Sequence, residues 1–98
     1  MITRTVLLKA HDRPLVEKTL LAMAELPARV DCLDSVTVSR DRSGRSLGYD
    51  LMMVLTFRTE DDLRAWIEHP EHVPFRDALL DREAVELLVF ESGRDGLA

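Results

Sequence analysis

Two segments of the chain, residues 49–57 and residues 84–91, are apolar on both faces of the strand that each is predicted to form. Their alternating apolar sets are Tyr49, Leu51, Met53, Leu55 and Phe57 against Met52 and Val54, and Val85, Leu87 and Val89 against Leu88 and Phe90. An antiparallel sheet with one face in water alternates between apolar and polar side chains. The pattern therefore predicts a sheet that is covered on both faces.

The helices of one short chain can cover only one face of such a sheet. An apolar face left in water would be an aggregation liability. A second copy of the chain is the most economical cover for the other face, because the same apolar surface then packs against itself. We therefore expect a homodimer; the alternative is a monomer with an exposed apolar sheet.

The order of the elements follows from the periodicity of the remaining segments. Strands are predicted at residues 5–10, 30–40, 49–57 and 84–91, and helices at residues 13–26, 60–69 and 73–80. Asp12 and Thr59 are the predicted N-caps of the first two helices. The order β-α-β-β-α-β, with a small extra helix before the last strand, is the ferredoxin-like arrangement of an α+β fold, with an antiparallel sheet and its helices on one face. We expect one domain over residues 1–98, with a core at about residues 3–91 and a loose tail at residues 92–98.

Charge and cysteine content argue against several classes of function. A formal net charge of −5 is unsuited to binding nucleic-acid phosphates or an anionic membrane surface. Cys32 is the only cysteine, so no disulfide forms within the chain, and no Cys/His cluster predicts a zinc site. The first residues lack the pattern of a signal peptide and no segment is long enough to span a bilayer, so we expect a cytoplasmic protein.

The segment from residue 66 to residue 75 is the most informative part of the sequence. It carries a His-Pro-Glu-His turn at residues 69–72 after a predicted helix, and that helix follows a strand that ends in Phe57. This pattern resembles the stress-responsive A/B barrel (Dabb) family over nearly the whole chain, from the strand at residues 6–9 to the strand at residues 87–90. The resemblance implies a dimeric α/β barrel in which two sheets pack face to face, and a pocket between the helices and the sheet of each subunit.

The resemblance also implies a role for His72. In the members of the family that cyclise polyketides, the second histidine of the turn is a general base or acid, assisted by a tyrosine on the preceding helix. That tyrosine position is Trp66 here, which has no ionisable hydroxyl. Three hypotheses stay open: binding of a small, mostly apolar organic molecule in the pocket; a cofactor-independent cyclase, lyase or monooxygenase that uses His72 as acid or base; and a purely oligomeric protein whose own side chains fill the pocket.

Strand parity and the resemblance together predict the residues around His72. The predicted pocket residues are Arg4, Val6, Leu8, Trp66, Phe75, Leu87, Val89 and Glu91. Glu91 is predicted either to orient His72 as a carboxylate partner or to be a solvated strand end. His69 is predicted to bond the last carbonyls of its helix. No metal site is expected, because Pro70 breaks the helical register that would bring His69 and His72 together. No other cofactor is expected.

Overall fold

A computed structural model describes residues 1–93; residues 94–98, which make up most of the predicted loose tail, lie outside the described residues. The strands are β1 (Ile2–Ala10), β2 (Ser35–Arg40), β3 (Leu51–Phe57) and β4 (Val85–Ser92), and the helices are α1 (Arg13–Ala24), α2 (Glu60–Ile67) and α3 (Val73–Leu79). This order confirms the predicted ferredoxin-like α+β fold with an extra helix before the last strand. No helix within residues 1–93 is long and apolar enough to cross a membrane.

The four strands form one antiparallel sheet in the order β2-β3-β1-β4. Val6 on β1 pairs with Met53 on β3 and with Val89 on β4. The next residue of β1, Leu7, pairs with Met52 and with Leu88. Because side chains alternate between the two faces of a strand, the first trio faces the helices and the second trio faces away from them.

The helices cover the face of the sheet that carries Val6. Leu8 and Phe57 on this face are fully buried, as are Met23 of α1 and Trp66 of α2. These side chains belong to one continuous apolar core that joins all three helices to the sheet. This core therefore fixes the distance between the helices and the sheet, and the cavity described below depends on that distance.

Both predicted N-caps are confirmed. An oxygen of the Asp12 carboxylate accepts a hydrogen bond from the N–H of Leu15 at 3.3 Å, and Oγ1 of Thr59 accepts one from the N–H of Asp62 at 3.1 Å. In each helix a side-chain oxygen thus satisfies an N–H group of the first turn, which has no partner within the helix. These caps set where α1 and α2 begin.

The other face of the sheet carries an apolar patch among polar side chains, and no helix of residues 1–93 covers it. Phe90 is 69% exposed, Leu88 is 51% exposed and Met52 is 36% exposed, and the partly buried Leu7 lies between the last two. The prediction that the helices cover only one face of a two-faced apolar sheet is confirmed by this arrangement.

Strand β2 begins at Ser35 and not at the predicted residue 30. Upstream of it, a 3-10 turn at Leu26–Ala28 is followed by hydrogen bonds from the N–H of Val30 to the carbonyl of Leu26 (2.9 Å) and from the N–H of Leu33 to the carbonyl of Val30 (3.2 Å). Val30 and Leu33 are buried in the core, so their apolar character reflects a packed turn. A short apolar run indicates that its residues are buried, but it does not distinguish a buried turn from a strand.

Candidate functional site

A cavity of about 260 Å³ lies between the helix-facing side of the sheet and the helices. The strands contribute Arg4, Val6, Met53, Leu55, Leu87 and Val89 to its lining, and the helices and the turn contribute Met23, Trp66, Ile67, His72, Arg76, Leu79 and Leu80. The lining is mostly apolar, and its polar side chains besides the Trp66 indole are Arg4, His72 and Arg76. Val89 is 48% exposed and Leu80 is 61% exposed, so the cavity opens to solvent between β4 and α3.

Six of the predicted site residues line this cavity, namely Arg4, Val6, Trp66, His72, Leu87 and Val89. Three others do not. Leu8 lies on the predicted face but is fully buried, because core side chains close over it. Phe75 packs against the core from α3, and Glu91 lies beside Arg4.

Sequence reasoning missed the other lining residues. Met53 and Leu55 share the strand parity of the predicted residues, so alternation alone could have found them. On α3, Leu79 and Leu80 follow Arg76 by three and four positions, the spacing that places side chains on one side of a helix. Met23 carries no such signal, because only the packing of α1 on the sheet brings it to the cavity.

The ring of His72 is held by the end of helix α2. Its Nδ1 lies 3.0 Å from the carbonyl oxygen of Trp66 and 3.1 Å from that of Ile67. A carbonyl oxygen can only accept a hydrogen bond, so Nδ1 carries a proton and donates it. The last carbonyls of a helix lack intrahelical partners. His72 donates to the carbonyl of Ile67 and adds a donor to the carbonyl of Trp66, which also accepts from the N–H of His69 at 3.0 Å. The ring therefore joins the end of α2 to the start of α3.

The other ring nitrogen of His72, Nε2, faces the cavity. It has no hydrogen-bond partner within residues 1–93, and none of the buried side-chain nitrogen or oxygen atoms of those residues lacks a partner. Nε2 must therefore reach accessible space, and the space that His72 lines is the cavity. With the proton on Nδ1, the neutral ring presents the lone pair of Nε2 there as an acceptor for a hydrogen bond or a proton.

Trp66 fixes the plane of the His72 ring. The indole and the imidazole are stacked, with 4.2 Å between their centroids and 22° between their planes. The indole also packs against Phe57 at a centroid distance of 6.4 Å. An aromatic platform that is itself buried leaves the histidine little rotational freedom.

Burial lowers the pKa of the His72 imidazole below its ordinary value of 6.5, because the charged form loses solvation. The hydrogen bonds to the carbonyls of Ile67 and Trp66 act in the opposite direction, and the positive charges of Arg4 and Arg76 lower the pKa further. The net direction is downward, so the ring is neutral at pH 7.

Two arginines flank His72 at the cavity. Arg4 on β1 lies 3.6 Å from a carboxylate oxygen of Glu91, and Glu91 has no hydrogen bond with His72. The hypothesis that Glu91 orients His72 is therefore wrong in this structure, because backbone carbonyls take that role. Arg76 on α3 donates to the carbonyl of Ile67 at 3.3 Å, which brings its guanidinium to the same helix end as the histidine ring.

The prediction that His69 bonds the last carbonyls of α2 is wrong. Its Nδ1 accepts a hydrogen bond from the N–H of Glu71 at 3.0 Å and so closes the turn. The predicted role belongs instead to His72, three residues on. Within residues 1–93, no group of three or more His, Cys, Asp or Glu side chains is arranged to hold a metal ion.

An NMR titration of His72 should give a pKa below 6.5 and identify the Nδ1–H tautomer of the neutral ring. A pKa that is lower in the folded state means that the unfolded chain binds the proton first as the pH falls. The stability that the neutral ring contributes is therefore present above 6.5 and is lost as the pH falls through the folded pKa.

The same linkage can be measured by urea denaturation. Between about pH 7 and pH 5, the free energy of unfolding should fall more steeply for the unsubstituted protein than for His72→Asn. A ring that titrates above its ordinary value, or that carries its neutral-state proton on Nε2, would contradict the geometry of the site.

Solved structures show the same fold. The At3g17210 protein of Arabidopsis thaliana has a TM-score of 0.79 at 19% identity, covering 100% of this chain and 99% of that chain. A dimeric ferredoxin-like protein of unknown function from Jannaschia sp. has a TM-score of 0.80 at 17% identity, covering 94% and 97%. SnoaB, a cofactor-independent oxygenase from Streptomyces nogalater, has a TM-score of 0.73 at 18% identity, covering 98% and 95%. At these identities the likeness shows the fold alone.

The match to a family model is more specific than the likeness to solved structures. No curated protein matches the sequence. The model of the Stress responsive A/B Barrel Domain matches residues 2–92, a span that includes every strand, every helix and the turn that holds His72. The chain therefore belongs to the stress-responsive A/B barrel domain family.

Proposed function

We propose that this protein binds a small, mostly apolar organic molecule in the cavity between its helices and its sheet. The observation that carries the proposal is the open, mostly apolar cavity that His72 lines, with Nδ1 of its ring bonded to the end of α2. A purely oligomeric role is less well supported, because Trp66 stacks on His72 as one wall of the cavity and leaves its volume open.

The cavity suits a ligand of modest size. Its volume of about 260 Å³ is close to the lower end of ligand pockets, about 300–1,000 Å³. A single substituted ring or a short branched chain has this size, and its apolar surface would contribute about 25 cal/mol for each Å² removed from water.

A second candidate function, a cofactor-independent enzyme, is favoured by the tautomer of His72. A neutral ring with a free Nε2 can take a proton from a carbon acid or a hydroxyl group held in the cavity. The imidazolium that forms keeps its Nδ1–H on the carbonyls of Trp66 and Ile67, which favour the added positive charge. The similar fold of SnoaB, described as a cofactor-independent oxygenase, is consistent with such chemistry.

Trp66 restricts what such an enzyme could do. In the cyclising members of the family a tyrosine at this position assists the histidine, whereas the indole here stacks on the imidazole and has no ionisable hydroxyl. His72 is therefore the single proton carrier that we assign to the cavity. One-proton chemistry, such as enolisation, fits this site better than a reaction that needs a second acid.

The protein is further proposed to be a homodimer that buries the uncovered face of the sheet. Leu88 and Phe90 on this face are more than half exposed in the single chain. In a twofold dimer the same patch packs against itself and both copies lose this apolar exposure. The similar proteins from Jannaschia sp. and from Thermobifida fusca are described as dimeric.

The four methionines allow a direct test of ligand binding by methyl NMR with 2-tetralone as the probe. Met23 and Met53 line the cavity, whereas Met1 and Met52 do not. We expect the probe to shift the methyl signals of the first two. Val89→Trp, which narrows the cavity mouth, should abolish these shifts, and Leu21→Trp on the exposed side of α1 should preserve them.

The proposed binding site fails if 2-tetralone shifts only the methyl signals of Met1 or Met52. It also fails if Val89→Trp and Leu21→Trp behave alike, because the shifts would then not depend on the cavity.

The enzyme candidate predicts exchange of the α-hydrogens of 2-tetralone in D₂O. Proton transfer by a positioned histidine typically contributes about 10²–10⁴-fold, so His72→Asn should lower the exchange rate by at least about 10²-fold. His11→Asn is the matched control, since His11 lies at the surface and pairs with Glu86 at 2.8 Å. Equal rates for both variants would leave the protein as a binding protein without this activity.

The dimer is tested by placing a charge on the uncovered face. Phe90→Glu should shift the protein to monomers in sedimentation experiments, because a carboxylate would be desolvated in the interface. Leu21→Glu places the same charge on a similarly exposed apolar position of α1 and should leave the dimer intact. A sedimentation profile that Phe90→Glu does not change would exclude this face as the interface.

A further inference from the structure

The cavity carries positive charge in a protein that is negative overall. The formal net charge of the chain is −5, yet the charged side chains among the described lining residues are Arg4 and Arg76, and none is a carboxylate. The two arginines come from different elements, β1 and α3, and both act electrostatically on His72. They therefore converge on one end of an otherwise apolar space.

The charged partners of these arginines are surface carboxylates, and Arg76 also donates to the carbonyl of Ile67 at 3.3 Å. The Arg4 side chain is less exposed than Glu91, with which it pairs at 3.6 Å. Arg76 likewise pairs with Glu68 at 3.5 Å and with Asp77 at 3.6 Å, and both carboxylates are far more exposed than the guanidinium. Exposed pairs of this kind contribute little to stability. A ligand anion inside the cavity can therefore bind the side of each guanidinium that faces the cavity, and little stability is lost if the surface ion pairs weaken.

We infer that the ligand of this cavity is a small amphipathic organic anion, whose acidic group binds Arg4 and Arg76 while its apolar part lies against the methionine and leucine side chains. The inference rests on the proposed binding function and adds the chemical class of the ligand. A guanidinium binds a carboxylate or an enolate oxygen through charge-assisted hydrogen bonds, which gain strength in an apolar surrounding.

The position of His72 agrees with this ligand class. Neutral Nε2 has a lone pair and would not donate to a carboxylate, so the acidic group belongs on the arginines. The part of the ligand next to the acidic group then lies beside Nε2. If a proton moves from that part to His72, the negative charge that forms on the ligand also lies next to the two guanidinium groups.

The test compares 3-phenylpropionate with 3-phenylpropanamide, which share one skeleton and differ in charge. Dissociation constants follow from the methyl shifts of Met23 and Met53 at low ionic strength. We expect the acid to bind at least tenfold more tightly than the amide. This preference should disappear in the double variant Arg4→Met and Arg76→Met, in which the methionines keep most of the aliphatic volume of the arginines.

Arg58→Met is the control for the loss of one positive charge in each single variant, Arg4→Met or Arg76→Met. Arg58 pairs with Asp34 at 3.0 Å and does not line the cavity, so this variant should keep the preference for the acid. The two single variants, each expected to lose part of the preference, keep the test usable if the double variant does not fold. Added salt should weaken binding of the acid and leave binding of the amide unchanged.

The outcomes separate the two proposals. If acid and amide bind the cavity equally, the binding function stands and the anionic ligand class is overturned. A preference that survives in the double variant overturns the assignment to Arg4 and Arg76. If neither compound shifts Met23 or Met53 although 2-tetralone does, the binding function stands and the anionic ligand class is overturned; if none of the three compounds shifts them, both proposals fail.

Discussion

The hydrogen bonds from Nδ1 of His72 to the carbonyls of Trp66 and Ile67 determine both the shape and the chemistry of the cavity. They end α2 and place the first residue of α3, so the two helices stand at a fixed offset over the sheet. They also put the ring proton on Nδ1 and leave Nε2 with its lone pair. A single contact between a side chain and a helix end therefore links the sequence of the turn to the lone pair on Nε2, on which the proposed chemistry of the site depends.

Much of the fold was predictable because strands and caps are local features. The two-faced apolar pattern at residues 49–57 and 84–91 correctly predicted a sheet whose helices cover only one face. Asp12 and Thr59 correctly predicted the starts of two helices, since a cap needs only the residues of one turn. The start of β2 was wrong, because Val30 is apolar for a reason that lies in tertiary packing and not in its neighbours along the chain.

The residues of the site were predictable only where their positions follow from strand parity or from the resemblance to the family. Parity placed Arg4 and Val89 at the cavity, and the His-Pro-Glu-His turn pointed to His72. Neither rule gives the distance between elements, which is why Glu91 was considered as the partner of His72 although it pairs with Arg4. Arg76 was missed for the same reason: a helix period shows which residues share a side, but not which guanidinium meets the end of another helix.

Strand β4 connects the cavity to the uncovered face of the sheet. Val89 lines the cavity, whereas Leu88 and Phe90 on either side of it point to the opposite face. A partner packed on Leu88 and Phe90 would hold the backbone of β4 in place and so fix one wall of the cavity, without obstructing the mouth beside Leu80. A chain this short has a large surface relative to its core, and support from a partner would hold an edge strand that lines part of the cavity. The apolar residues of both faces would then serve one purpose, because the strand that closes the proposed dimer would also be the strand that shapes the cavity.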